Sequence, residues 1–394
     1  MELKRENLKK LFFDTAITGH HTEYISYIID YLLTLKKDDE YIFVVNPEFS
    51  KKFPGIYDKS KKLNKCIWQQ ITNKEFNKTK GKSRVKSDLR EFKILKKYAG
   101  KFAADHVYIL NLNAVIYGTV FYRTKFKLSG ILFSHFYRLN KNSVNEKVFF
   151  YKRYLPIKLL KLNKKVKSVF ILNDEETVKF MNNKFSTKIF KVLPDPIPKL
   201  NPMENFNIYK HYNIDENKKI FLHIGALGNR KGTFEIIEAA IQVSSSVKNN
   251  VVILLVGKAS TNADKETMIS LISKVKQKNS AQLIWDEQFV PLDMMKSLFD
   301  QCYAVLIPYK NVEFSSGILG HAAAAGKMVI ATGDGLIREL VINNNLGILI
   351  ESPKPENISK AIVESLDSAI QVSSNSNFVK QHSPEIFAER ILEH

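Results

Sequence analysis

Two stretches in the second half of the chain set glycines, cations and a carboxylate in an order suited to holding a phosphate ester. FLHIGALGNRKGTFEIIEAA, Phe221 to Ala240, reads as strand, glycine-rich loop, paired cations and helix. Breaking a bond to a diphosphate leaves negative charge behind, which Arg230 and Lys231 would stabilise more in the transition state than in the ground state. In PYKNVEFSSGILGHAAAAGKMVIAT, Pro308 to Thr332, the residues Ser315, Ser316 and Gly317 open a helix of small side chains. Backbone N–H groups at such a helix start can point at a phosphate, and Gly317 permits close approach. Glu313 precedes that start, where an ionised carboxylate accepts hydrogen bonds from ligand hydroxyls but cannot donate.

The first half offers weaker candidates. TGHHTEY, residues 18–24, follows the first strand and opens a helix, the place where an α/β sheet puts ligand contacts. Gly19, His20, His21 and Glu23 are the residues of interest there, and a plain helix start with Thr22 and Glu23 in its first turn is the competing reading. His135 ends the stretch LSGILFSH, where a structural histidine competes with a functional one. Asp-x-Asp, His-x-Glu and HExxH patterns are absent, so no metal is expected. A GxGxxG fingerprint is also missing, which weakens a dehydrogenase reading.

These residues need elements to position them. The second half alternates β-rich runs at 220–225, 251–257, 282–289, 303–309, 327–332 and 346–351 with helical patterns at about 232–246, 263–277, 292–301, 317–325, 336–343 and 355–369. That alternation predicts a parallel sheet flanked by helices, a Rossmann-like unit. The first half repeats the theme with strands at 11–16, 41–46, 106–112, 128–135, 166–173 and 189–194. Lys74 to Lys101, dense in lysine, is either a solvent-facing helix or a loop. The proline-rich LPDPIPKLNP, 193–202, marks the domain boundary. The expected layout is therefore 1–196, 197–375 and a C-terminal helix over 376–394 packing back toward the N-terminal domain.

Length and charge agree with two domains. The chain has 394 residues, too many for one ordinary core, with 44% hydrophobic and 25% charged residues, as in ordinary globular proteins. Its net charge is +20, and the excess lies in the first half: residues 1–200 hold 41 Lys and Arg against 19 Asp and Glu, the remainder 19 against 21. Such a field attracts an anionic surface, whether phospholipid, a lipid-diphosphate acceptor or nucleic acid, although solvated lysines remain the bland alternative. No nucleic-acid module is recognisable. Cys66 and Cys302 lie far apart, which fits a reduced, cytoplasmic setting, and no apolar run approaches the ~20 residues needed to span a bilayer. KVFFYKRYLPIKLLKLNKKVK, 147–167, mixes aromatic, basic and leucine residues as a peripheral membrane contact would. Pro156 argues against one continuous helix there, and a pair of helices with the apolar side in the core is the competing reading.

The Pro308–Thr332 run resembles glycosyltransferase family 4, in which two glutamates seven residues apart precede a small-residue helix and a GxPVIA-type strand. The resemblance places Glu313 at the first glutamate and His321 at the second, where the family holds the donor ribose; an ordinary helical histidine is the competing reading. Gly225 and Lys231 match the family's G-x-x-x-x-x-K-G loop, with Ala226 at the usual arginine and Arg230 able to supply its charge from nearby. Phe289 and Val290 fall where backbone groups of the family contact the base, and Ile318 lies in the donor-binding helix start. The resemblance further implies Gly19 beside the donor phosphates, His20, His21 and Glu23 toward the acceptor, and His135 near the donor sugar. It implies the GT-B fold, two Rossmann-like α/β domains facing each other across a cleft, and metal-independent, retaining transfer from a nucleoside diphosphate sugar to a glycan or lipid-linked acceptor. Bacterial surface polysaccharide synthesis is the expected setting. A non-catalytic nucleotide- or glycan-binding protein on the same fold is the rival, motivated by Ala226 and His321.

Overall fold

The computed structural model describes residues 7–17, 19–35, 38–278, 280–310, 313, 316–374 and 376–393. The chain divides into two compact units, Met1–Asp195 with Pro384–His394, and Pro196–Ser383.

The first unit holds a parallel seven-stranded sheet in the order β3-β2-β1-β4-β5-β6-β7. Its strands are β1 Lys9–Asp14, β2 Glu40–Val45, β3 Cys66–Gln70, β4 His106–Ile109, β5 Lys127–Ile131, β6 Val166–Leu172 and β7 Phe190–Leu193. Strand β3 is absent from the sequence expectation because it is an edge strand. CIWQQ is half-buried throughout and shows neither an apolar run nor clean alternation. Its anchor is aromatic: Trp68 stacks on Phe43 and Phe49, with ring centroids 4.9 and 5.2 Å apart.

The lysine-rich segment becomes two helices. Asn73–Thr79 starts with a capping box between Thr72 and Glu75, and Arg84–Lys101 is capped by Ser83. The second is not purely solvent-facing, since it buries Phe92, Leu95, Tyr98 and Ala99, and with them the carboxylates Asp88 and Glu91. Helix Val144–Leu160 runs unbroken through Pro156, against the expectation of a break. Proline cannot donate to the carbonyl four residues back, that of Lys152, and Tyr117 Oη donates to that oxygen instead at 3.4 Å. The terminal helix Pro384–Leu392 buries Phe387, Ala388 and Ile391 within the first unit, where Phe387 lies 4.5 Å from the Tyr24 ring.

The second unit holds a parallel six-stranded sheet in the order β10-β9-β8-β11-β12-β13. The strands are β8 Lys219–Ile224, β9 Val251–Val256, β10 Gln282–Asp286, β11 Ala304–Ile307, β12 Met328–Thr332 and β13 Gly347–Ile350, each within a few residues of the sequence expectation. The agreement has a physical basis: the inner strands are covered on both faces by helices, so they read as unbroken apolar runs, and every residue of VVILLV is fully buried. Among the described residues no helix is long and apolar enough to cross a membrane.

Candidate functional site

In each unit the strand order reverses beside the first strand, between β1 and β4 and between β8 and β11. In an open parallel sheet the loops leaving such a pair diverge to opposite faces and leave a crevice at the carboxyl ends.

In the second unit the loops at that crevice are Gly225–Gly232 and the stretch after Ile307, which carry the two phosphate-suited motifs. Gly232 adopts φ +70°, and a Cβ there would lie 2.2 Å from the Pro308 carbonyl oxygen, so only glycine lets the loops meet. Lys310 then ties them together, its backbone N–H donating to the Arg230 carbonyl at 3.1 Å and its ammonium pairing with Glu235 at 2.7 Å. A buried chain fixes the first loop from beneath. His223 Nδ1 donates to the Leu306 carbonyl at 2.8 Å, because a carbonyl only accepts, which leaves Nε2 to accept from Thr233 Oγ1 at 2.9 Å. Thr233 Oγ1 in turn accepts from Gly228 N–H at 2.9 Å. Burial pushes the His223 pKa down to about 3, so the ring stays neutral and the tautomer holds.

Arg230 is exposed on the loop surface, whereas Lys231 turns inward. The Lys231 ammonium donates to the Ile224 carbonyl at 3.2 Å and sits 5.4 Å from the centroid of the Tyr309 ring. It fills the space beside Gly225, where a Cβ would come within 2.5 Å of Nζ. Burial, followed by repulsion from Arg230, lowers its pKa from 10.5 to about 8. Among the described residues no carboxylate pairs with this cation.

Across the crevice, Ser316 is buried and precedes helix Gly317–Ala324 without capping it by its side chain. The first N–H groups of that helix, from Gly317 and Ile318, have no intrahelical acceptor and carry the positive end of the helix dipole. Glu313 is half-buried in the preceding stretch, and Ser315 lies outside the described residues. His321 falls one turn beyond Gly317 on the same face and stacks on Phe299 at 5.6 Å between ring centroids. Phe289 and Val290 follow the edge strand β10, two strands away from the Lys231 loop; Phe289 is 79% exposed and Val290 packs on the core.

In the first unit the loop after β1 places Gly19 at φ +68° with open space where a Cβ would project. His20 is exposed and 3.2 Å from Glu23, whose hydrogen bond raises the His20 pKa. His21 makes the tighter contact, Nδ1 to Asp14 Oδ2 at 2.8 Å, with Asp14 buried at the end of β1. Asp14 reads in the sequence only as an interruption of an apolar run; a carboxylate closing such a strand is the signal that could have marked it. Thr15 donates to the buried Glu91, whose pKa burial raises to about 7. Phe133, in the loop after β5, lies 5.4 Å from the His21 ring and so brings that loop alongside.

Strand β5 stops at Ile131, so His135 lies in the following loop rather than on the strand. It is buried, with Nε2 3.6 Å from Asp174 Oδ2 and, among the described residues, no hydrogen-bond partner at Nδ1. Desolvation lowers its pKa to about 4, despite the pull of Asp174. Asp174 itself is engaged by both nitrogens of a bidentate Arg138, at 2.7 and 2.8 Å, and caps helix Glu175–Phe185. Neither Asp174 nor Arg138 carries a local sequence signal, since 36 residues separate them.

Comparison with known proteins defines the fold. Over nearly its whole length the chain superposes on enzymes of the GT-B fold. It covers 98% of itself and 100% of WaaG, a glycosyltransferase involved in lipopolysaccharide biosynthesis, at TM-score 0.62 and 13% identity. It covers 99% of itself and 94% of a Rickettsia africae glycosyltransferase at TM-score 0.63 and 15% identity. Against Anabaena HepE in complex with UDP-glucose the values are 98%, 99%, TM-score 0.66 and 15% identity. At such identities the likeness establishes the fold, GT-B. Residues 205–385, most of the second unit, match the model for glycosyl transferases group 1. Among curated proteins no match is found.

Proposed function

We propose that the enzyme transfers a sugar from a nucleoside diphosphate sugar to a glycan or lipid-linked glycan acceptor, with retention of anomeric configuration and without a metal. The observation that carries the donor class is the buried Lys231 ammonium, which among the described residues meets a backbone carbonyl and a ring face at the crevice and no carboxylate. An anion with two phosphates would be held there by Arg230 and Lys231 on one side and by N–H groups of Ser316, Gly317 and Ile318 on the other. Gly225 makes room for the lysine, and Glu313 accepts from sugar hydroxyls. HepE, of the same fold, was solved with UDP-glucose, which supports a nucleotide-sugar donor here. His321, on the face of Gly317, and the backbone of Phe289 and Val290 are assigned to ribose and base.

In the reaction the bond between the anomeric carbon and the diphosphate oxygen breaks, and the acceptor oxygen bonds to that carbon. The acceptor proton leaves with the departing phosphate. The charge growing on the diphosphate is stabilised by groups already in position, which is where the rate gain arises. Gly19, His20, His21, Glu23 and His135 are assigned to the first domain's part, meeting acceptor and donor sugar. The setting we assign is the cytoplasmic face of a membrane, in surface polysaccharide synthesis, with the basic first unit touching anionic lipid.

A panel of nucleoside diphosphate sugars, assayed for slow release of nucleoside diphosphate, tests this. One donor should be hydrolysed, and Glu313→Ala or Lys231→Ala should abolish release while a folded protein persists. Release that neither substitution touches would put the chemistry elsewhere.

A further inference from the structure

Helix Val144–Leu160 is apolar on two opposite faces. Phe150, Ile157 and Leu160 point into the first unit's core. On the other side Val144, Val148, Tyr151 and Leu155, spaced 4, 3 and 4 apart and hence on one stripe, are 76, 46, 60 and 56% exposed. A globular helix with one partner ordinarily shows a single apolar stripe, and the second stripe here faces outward.

The stripe is continued and framed. Tyr117, Lys147, Lys152 and Pro156 join it in an apolar groove, and Phe121, at the end of the neighbouring helix Ile116–Phe121, is 65% exposed. Leu162, just past the helix end, is 67% exposed. From Lys141 to Lys167 the chain carries nine Lys or Arg against one Glu, and Lys147, Lys152, Lys158, Lys164, Lys165 and Lys167 are exposed. Exposed aliphatic and aromatic groups ringed by cations on long stems are complementary to a surface with apolar depth and anionic headgroups.

We infer that the outward stripe of helix Val144–Leu160, with Phe121, Leu162 and the surrounding lysines, is the surface by which this chain docks on an anionic phospholipid bilayer. This sharpens the lipid contact proposed above to named residues and does not depend on the donor site. Val148, Tyr151 and Leu155 enter the headgroup boundary while the lysines remain at the level of the lipid phosphates. The exposed side of the helix contributes little to the first unit's core, so its substitution leaves the fold intact.

Vesicles of phosphatidylcholine with and without phosphatidylglycerol, sedimented with the full chain, test the assignment. Binding should require the anionic lipid and weaken with salt, and each lysine charge removed by Lys147→Gln, Lys152→Gln or Lys158→Gln should weaken it by about fivefold. The triple variant Val148→Ser, Tyr151→Ser, Leu155→Ser should lose binding with an unchanged unfolding midpoint. Tyr151→Trp, a milder change, should add an indole emission, read as the difference from wild type, that shifts to the blue on anionic vesicles. That variant keeps the question decidable should the triple variant fail to fold. No vesicle binding by the wild type, undiminished binding by the serine variant, or an added emission from Tyr151→Trp that does not shift when the protein is bound would each overturn the inference. So would a wild-type dimer in solution that the serine variant converts to monomer, since a second copy would then be the occupant. Nucleoside diphosphate binding, measured separately by thermal shift, tells failure here from failure of the donor site.

Discussion

Lys231→Met should make the ligand-free protein more stable and at the same time unable to hold its donor. The Lys231 ammonium is buried against a carbonyl and a ring face, and its pKa falls from 10.5 to about 8. That drop measures the cost of keeping the charged form in place, about 3 kcal/mol, and some residual accessibility reduces it to ~2 kcal/mol. The sign follows from proton binding: between pH 8 and 10.5 the unfolded chain holds the proton that the folded chain has lost, so stability rises with pH. The contribution is fully present above 10.5 and lost as pH falls through about 8. Methionine is similar in length and carries no charge, so urea denaturation at pH 7 should find the variant about 2 kcal/mol more stable, with the difference shrinking toward pH 10. A nucleoside diphosphate returns anionic company to the lysine, raises its pKa and takes up a proton on binding. The variant should therefore bind it at least about thirtyfold more weakly and show almost no ligand-induced rise in unfolding midpoint. A variant less stable than wild type at pH 7, or stabilised by the diphosphate as much as wild type, would refute the view of Lys231 as a cation waiting for a phosphate.

Three other outcomes are expected. Gly232→Ala must hold φ +70° and meet the Pro308 oxygen at 2.2 Å, so urea denaturation should show a loss of about 3 kcal/mol, with weaker diphosphate binding as the two loops part. Asp174→Asn removes the charge from the carboxylate that holds Arg138 at two points and should destabilise by about 3 kcal/mol in the same assay. Glu91 keeps its proton up to about pH 7 when folded, so its contribution is present below its ordinary 4.5 and lost as pH rises through about 7. Glu91→Gln should therefore be more stable than wild type by ~2 kcal/mol at pH 8 and equal to it near pH 4, as read from paired denaturation curves.

Legibility varied across the chain for identifiable reasons. The Gly225–Lys231 loop and the start of helix Gly317–Ala324 were visible because each motif is continuous and bracketed by a strand and a helix. The histidine beneath the first loop was not, since His223 looks like any polar residue in a strand until Leu306 and Thr233 come against it. His135 stands out in the sequence but its environment does not, because Asp174 comes against it from the end of a different strand. The lysine-rich segment 74–101 left helix and loop open. Its caps at Thr72 and Ser83 favour helix, but lysines dilute the apolar face that packing finally revealed.

From the residues alone came the period of the second sheet, the order of its motifs and the concentration of positive charge in the first half, for all of these are local patterns along the chain. Folding alone decided that Gly232 touches Pro308, that Lys231 turns inward while Arg230 stays out, and that Tyr117 donates to the carbonyl that Pro156 leaves without its helical donor. Those outcomes rest on contacts between residues tens of positions apart. Contact and burial, not residue type, set the pKa of a lysine and the direction in which a helix shows its second apolar face.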